Sequence, residues 1–226
     1  MMMFAMALMV IGCETNESTT VGEHLAQKTP EAGPDVAFPM RHNLDGEMVT
    51  VDSGWKEGLL PGRSTVRIVD DVAYLDKGED MTGITWRGPL VRMNYEVTLE
   101  AMRVEGYDFF CGLTFPYGET VCSFVVGGWG GTCVGLSSID YYDAYNNETA
   151  EFRKFELGKW YKIRVRATDD KIECWIDDDK LVDFVTTGRT ISIRWEMSDI
   201  VPLGVATWQT TAAIRNFELK KIEAKD

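Results

Sequence analysis

Tyr161-Lys162-Ile163-Arg164-Val165-Arg166-Ala167-Thr168-Asp169-Asp170-Lys171-Ile172-Glu173-Cys174-Trp175-Ile176 decides the fold. Tyr161, Ile163, Val165 and Ala167 alternate with Lys162, Arg164, Arg166 and Thr168. That period of two gives a strand one apolar and one polar face. Ile172, Cys174 and Ile176 alternate in the same way against Lys171, Glu173 and Trp175. Asp169-Asp170 has the chemistry of a tight turn, so the two runs read as a hairpin.

Working outward, the same period recurs almost everywhere. Downstream, Asp177-Asp178-Asp179-Lys180 turns into Leu181 to Val185, and strands are expected at Ile191 to Trp195, Leu203 to Trp208 and Ala212 to Ile222. Upstream, they are expected at Thr65 to Leu75, Thr82 to Trp86, Tyr95 to Ala101, Phe109 to Phe115 and Thr120 to Gly127. About a dozen strands at short spacing, with almost no helical period, predict a single all-β sandwich of two antiparallel sheets.

Composition narrows the function classes. Of 226 residues, Lys plus Arg number 23 and Asp plus Glu 36, a net charge of −13. Such a surface repels phosphate backbones and anionic lipid heads, which argues against a nucleic-acid partner. The two histidines, His24 and His42, both lie upstream of the regular strands. A Ser-His-Asp triad or a His-rich metal centre inside the main domain is therefore excluded.

Residues 1–12, MMMFAMALMVIG, form an uncharged apolar run. It is shorter than the roughly 20 residues a membrane span needs and matches the core of an export signal. Val10-Ile11-Gly12-Cys13 resembles the bacterial lipobox, which predicts a lipid on Cys13. No Lys or Arg precedes the run, although a basic segment is expected there. Residues 13–45 read as the acylated Cys and a flexible tether, and residues 46–226 as the sandwich. The expected location is the bacterial cell envelope, periplasmic or surface, with the membrane touched only through the lipid. Export permits disulfides among Cys111, Cys122, Cys133 and Cys174. Either Cys111 and Cys122 pair across neighbouring strands, or all four are small buried hydrophobes; the sequence leaves both open.

Phe155-Glu156-Leu157-Gly158-Lys159-Trp160-Tyr161-Lys162-Ile163-Arg164-Val165 followed by Ile172 to Asp183 resembles a strand-turn-strand of concanavalin-like jelly rolls. So do the close, Pro202 to Ala206 with Ala213 to Lys220, and the opening, Gly46 with Gly54-Trp55. Together these resemble the 3-keto-disaccharide hydrolase family, also described as 3-keto-glycoside lyases and hydratases. The resemblance implies a concanavalin-like jelly roll, a carbohydrate partner and an exported lipoprotein. It also implies α-proton elimination on 3-keto sugars, which wants a base and usually a metal. The family's middle strands often carry an Asn, a Glu and a Gln. Here those stretches read Phe109-Phe110-Cys111-Gly112-Leu113-Thr114-Phe115 and Val121-Cys122-Ser123-Phe124-Val125. A glycan-binding descendant without catalysis competes with the enzyme, as does an envelope protein with no small ligand.

Site candidates come from residues that a plain sandwich does not need. Four glycines surround Trp129 in Val125-Val126-Gly127-Gly128-Trp129-Gly130-Gly131-Thr132, so the indole can stand free and stack on a sugar. Tyr141, Tyr142 and Tyr145 lie on the polar loop from Ser137 to Thr149 and suit a binding rim. Arg194-Trp195-Glu196 and Trp208-Gln209-Thr210, expected on adjoining strands, bring Arg194, Trp208 and Gln209 to one face, with an internal ion pair favoured over a ligand contact. Glu196, Asp140 and Glu148 are the weak catalytic candidates, and Asp143 joins them as carboxylates for a metal. No run matches a metal motif, and Asp177 to Asp179 lacks the Gly and terminal Glu of a calcium loop. A structural or catalytic divalent cation is left open.

Overall fold

A computed structural model describes residues 39–43 and 48–52, as backbone, and residues 54–223. Cys13, with the export signal and the lipid expected from the sequence, lies outside the described residues. Strand structure begins at Pro39, ahead of Gly46. In chain order the strands are β1 (Pro39–Asn43), β2 (Met48–Asp52), β3 (Trp55–Glu57), β4 (Val66–Val69), β5 (Val72–Leu75), β6 (Met81–Trp86), β7 (Tyr95–Gly106) and β8 (Cys111–Tyr117). They continue with β9 (Thr120–Gly128), β10 (Cys133–Ser137), β11 (Glu151–Phe152), β12 (Trp160–Ala167), β13 (Lys171–Ile176), β14 (Asp179–Val185), β15 (Gly204–Trp208) and β16 (Thr210–Lys221). A short 3₁₀ helix covers Trp195–Ile200.

The strands make two sheets. One has nine strands, ordered β14-β13-β12-β7-β16-β1-β2, with β5 also on β16 and β4 on β5. The other has seven, ordered β11-β10-β9-β8-β15-β6-β3. Every pairing is antiparallel except β1 on β16. The expected all-β jelly-roll sandwich is what forms.

Strand alternation builds the core. Tyr95, Val97, Leu99 and Ala101 of β7 and Tyr161, Ile163, Val165 and Ala167 of β12 face inward from the larger sheet. They meet Leu113 and Phe115 of β8, Phe124 and Val126 of β9, and Val134 and Leu136 of β10. In β16 both Ile214 and Phe217 face inward, which a strict period of two forbids. A bulge between Arg215 and Glu218, with Asn216 at φ 53°, re-phases the strand. Gly54 presses its backbone on the Trp86 ring, and Trp55, Trp86 and Phe217 pack as one aromatic group. Gly54-Trp55 is thus a packing device.

Two expected strands are corrected. Thr65 to Leu75 is not one strand but the hairpin β4–β5. Asp70 and Asp71 both take positive φ, 48° and 62°, the backbone of a two-residue turn that Asp tolerates. Ile191 to Trp195 is not a strand either. Ile191 makes one isolated bridge to Ile139, and the chain then coils into the 3₁₀ helix. Met197 and Ile200 stand three apart, which stacks both on the buried side of a three-residue turn.

All four cysteines of the sandwich are free and buried. Cys122 lies opposite Phe115 on β8, not opposite Cys111. Burial pushes Cys111 and Cys122 up to about 12 and Cys133 to about 11. Cys174 is pushed well above the usual thiol value by the same cause. The small-hydrophobe alternative holds here.

Candidate functional site

The seven-stranded sheet has a second, outward face. Inward residues of β8, β9 and β10 alternate with Gly112, Thr114, Ser123, Val125 and Ser137, which face away from the core. Two small apolar clusters sit on that face. One joins Leu60, Met81, Met197, Ile200 and Ala206 with Phe109, Ile193 and Trp208 packed on it; the other joins Val125, Cys133 and Ala144, again with Phe109. Between them lies a cleft of about 230 Å³. Its apolar walls are Met81, Phe109, Val125, Trp129, Met197 and Trp208, and its polar groups are Asp108, Ser123, Ser137, Arg194 and Glu196. Gly112 makes room for two of the walls, since a Cβ there would crowd Met197 and Phe109.

Trp129 is held rather than loose. It takes φ 48° between Gly127, Gly130 and Gly131, all at positive φ, and is 38% exposed. The Gly130 N–H donates to Asp108 Oδ2 at 2.9 Å, and the Phe109 N–H donates to Oδ1 at 2.7 Å. From β7, Arg103 reaches across and donates through Nη2 to the Gly127 and Gly131 carbonyls at 3.3 and 3.1 Å. A Cβ on Gly127 would strike that guanidinium, so glycine is required there by space as well as by φ. Arg103 is buried, lies over Phe110 and Phe155, and has no carboxylate at ion-pair distance among the described residues. Desolvation lowers its pKa, and a buried cation is here committed to fixing one loop.

Arg194 and Glu196 form the internal pair the sequence favours. Arg194 Nη2 donates to Glu196 Oε1 at 2.7 Å and Nε donates to Oε2 at 3.3 Å. Its Nη1 donates to Asp143 Oδ2 at 3.2 Å. Burial pushes the Glu196 carboxyl up, but the hydrogen bonds from Arg194 and from its own backbone N–H outweigh this. The net effect holds it below the usual carboxylate range. A carboxylate so held is ionised at neutral pH and a poor proton acceptor.

The cleft unites Trp129, Arg194, Glu196 and Trp208, although Arg194 precedes the 3₁₀ helix instead of sitting on a strand beside β15. The other candidates lie outside it. Gln209 sits in a turn at φ 43°, its backbone N–H donating to the Asp80 carbonyl and its Nε2 to the Glu79 carbonyl. Tyr141 and Tyr142 point to solvent. The Tyr145 ring stands 6.1 Å from Trp129 and 5.5 Å from Phe152, so it extends the aromatic rim without lining the cleft. Asp140 and Glu148 both grip Arg189, and the Thr190 N–H also donates to Asp140. Those contacts lower both carboxyls and take them out of service as bases. Among the described residues no three His, Cys, Asp or Glu side chains converge as a metal-binding group. Asp177 Oδ1 instead accepts from the Lys162 N–H, and Asp179 pairs with Arg153. Asp108, Ser123, Ser137, Phe109, Met81 and Met197 carry no signal in the sequence that marks them as site residues: Ser123, Ser137 and Met81 are ordinary strand positions, Asp108 and Phe109 lie between β7 and β8, and Met197 lies on the 3₁₀ helix.

A family model described as the 3-keto-alpha-glucoside-1,2-lyase-like domain matches residues 44–220. No curated protein matches the chain by sequence. Among solved structures, a protein of unknown function with a galectin-like fold from Bacillus subtilis is similar at TM-score 0.53 and 10% identity, over 76% of this chain and 90% of that one. The carbohydrate-binding module CBM66 from Bacillus subtilis is similar at TM-score 0.50 and 11% identity, over 81% and 100%. At these identities the likeness is one of fold.

Proposed function

The chain belongs to the 3-keto-alpha-glucoside-1,2-lyase-like domain family, and on that premise we propose that its outward cleft binds a carbohydrate and recognises it without converting it. One observation carries the reading: two indoles, Trp129 and Trp208, share a cleft with a guanidinium–carboxylate pair. Indole faces suit the C–H faces of a sugar ring, and the Arg194–Glu196 pair offers donors and acceptors to its hydroxyls. Both carboxylates of the cleft are already engaged, Asp108 with two backbone N–H groups and Glu196 with Arg194. Neither is placed to abstract a proton without first losing its partners. The carbohydrate-binding module of similar fold supports the reading by analogy.

Family membership favours a second reading, a lyase with Glu196 as its base. Turnover of a 3-keto-glucoside, with added divalent metals and again with chelator, separates the two. Binding without turnover under every metal supports recognition. Turnover that Glu196→Gln abolishes while binding persists establishes the lyase and overturns the first reading.

The N-terminal sequence supports a lipid on Cys13 and a place in the bacterial cell envelope. On that reading Cys13→Ser releases the protein from the membrane fraction. Unchanged partitioning would contradict it.

A further inference from the structure

Three neighbouring strands each place one hydroxyl on the outward face of the sheet, and two of these residues, Ser123 and Ser137, line the cleft. Thr114 of β8 lies opposite Ser123 of β9, and Ser123 lies opposite Ser137 of β10. The row follows from register: Leu113, Phe124 and Leu136, one residue away in each strand, fill the core. Thr114 and Ser123 satisfy each other at 2.8 Å. Ser137 is 1% exposed and lines the cleft, yet its Oγ has no hydrogen-bond partner among the described residues. A buried hydroxyl left unpaired costs free energy, and such groups are rare in folded proteins.

We infer that Ser137 Oγ is the floor contact for a ring hydroxyl of one neutral sugar unit bound in the cleft. This rests on the carbohydrate reading above and narrows the ligand class. Size limits the occupant: about 230 Å³ lies below the range of drug-sized sites, roughly 300–1,000 Å³, and suits one ring. Charge limits it further. Asp108 and Glu196 line the same cleft, and Arg194 is already shared between Glu196 and Asp143. An anionic sugar meets the charge of two carboxylates there, with Arg194 already occupied. A sugar hydroxyl both donates and accepts, so it satisfies Ser137 in either orientation.

The test uses the full chain carrying Cys13→Ser, titrated with methyl glycosides of glucose, galactose, mannose and xylose and with methyl glucuronide. Ser137→Ala is expected to weaken binding of the neutral glycoside that binds roughly two- to tenfold. Its melting temperature should stay level or rise by about 2–4 °C, because an unsatisfied group has been removed. The monodeoxy glycoside lacking the contacted hydroxyl should bind the unmutated chain as weakly as Ser137→Ala binds the parent sugar. Combining the two changes should add little. Methyl glucuronide should bind more weakly than methyl glucoside. If Ser137→Ala binds every glycoside as the unmutated chain does, while Trp129→Ala does not, the floor contact is wrong and the carbohydrate reading stands. If no glycoside binds the unmutated chain, both fall. A melting temperature lowered by several degrees in Ser137→Ala would mean the hydroxyl serves the fold, and would overturn the inference.

Discussion

Replacing Arg103 by Met tests whether the Trp129 loop is held from beneath. Met keeps most of the side-chain bulk over Phe110 and Phe155 but removes both donors to the Gly127 and Gly131 carbonyls. A hydrogen bond from a charged donor contributes ~1.5–3 kcal/mol. At 3.3 and 3.1 Å these two are long, so each belongs at the lower end. Removing a buried cation whose Nε has no partner returns part of the loss. The net cost is ~1–3 kcal/mol, or ~3–10 °C in melting temperature for a domain of this size. The loop also loses its fixed geometry, so Trp129 must be ordered when ligand binds. That ordering costs about 0.5–1.5 kcal/mol for the side chain and more for the backbone, giving about tenfold weaker glycan binding. Arg103→Lys should fall between, because an ammonium does not fork between two carbonyls as a guanidinium does. Differential scanning calorimetry and a glycan titration read both quantities. A Met variant that melts at or above the unmutated chain and binds normally would refute the idea that Arg103 supports the site.

Acid should destabilise the fold in a definite direction. Glu196, Asp183, Asp140 and Glu148 all have folded-state pKa values below their ordinary ones, so their stabilisation is present at neutral pH and is lost as pH falls through the folded values. The melting temperature is expected to be flat down to about pH 5 and to drop below about pH 4. A carboxyl NMR titration should place the Glu196 midpoint below the ordinary glutamate value, and a midpoint above that value would restore it as a base. Thr114→Ala should lower stability by about 1–2 kcal/mol, because it leaves the Ser123 hydroxyl unpaired in a buried site; a level melting curve would contradict this. Iodoacetamide at neutral pH should leave Cys111, Cys122, Cys133 and Cys174 unlabelled in the native protein and label all four after unfolding. Native labelling of any of them would show that it is not buried as described.

The fold was legible wherever the apolar period was unbroken. The hairpin of Tyr161 to Ile176 forms as β12 and β13, with its turn at Asp169-Asp170. Asp70-Asp71 carries the same Asp-Asp signal, but the apolar residues on either side of it make Thr65 to Leu75 read as one strand. Among the described residues sixteen strands form where about a dozen are expected: strands of two or three residues, such as β11 and β3, carry too few residues for any period, and β4 and β5 read as one strand. Within the site, Trp129, Trp208, Arg194 and Glu196 were visible because a bare sandwich has no need of them. Asp140 and Glu148 look equally available in the sequence, but their partner Arg189 is about forty to fifty residues away and only the folded chain joins them. The hydroxyl row of Thr114, Ser123 and Ser137 was hidden for the opposite reason. A small polar residue on the outward face of a strand is ordinary, and only the register lines up three of them.

The most direct test of the account is an NMR titration of the full chain carrying Cys13→Ser with methyl glycosides and short neutral oligosaccharides, following the seven indole N–H signals. The account predicts saturable binding that shifts the Trp129 and Trp208 signals and leaves Trp55 and Trp86, buried on the far side of the sheet, in place. Binding that shifts other indoles but not these two, or no binding to any sugar, would contradict it.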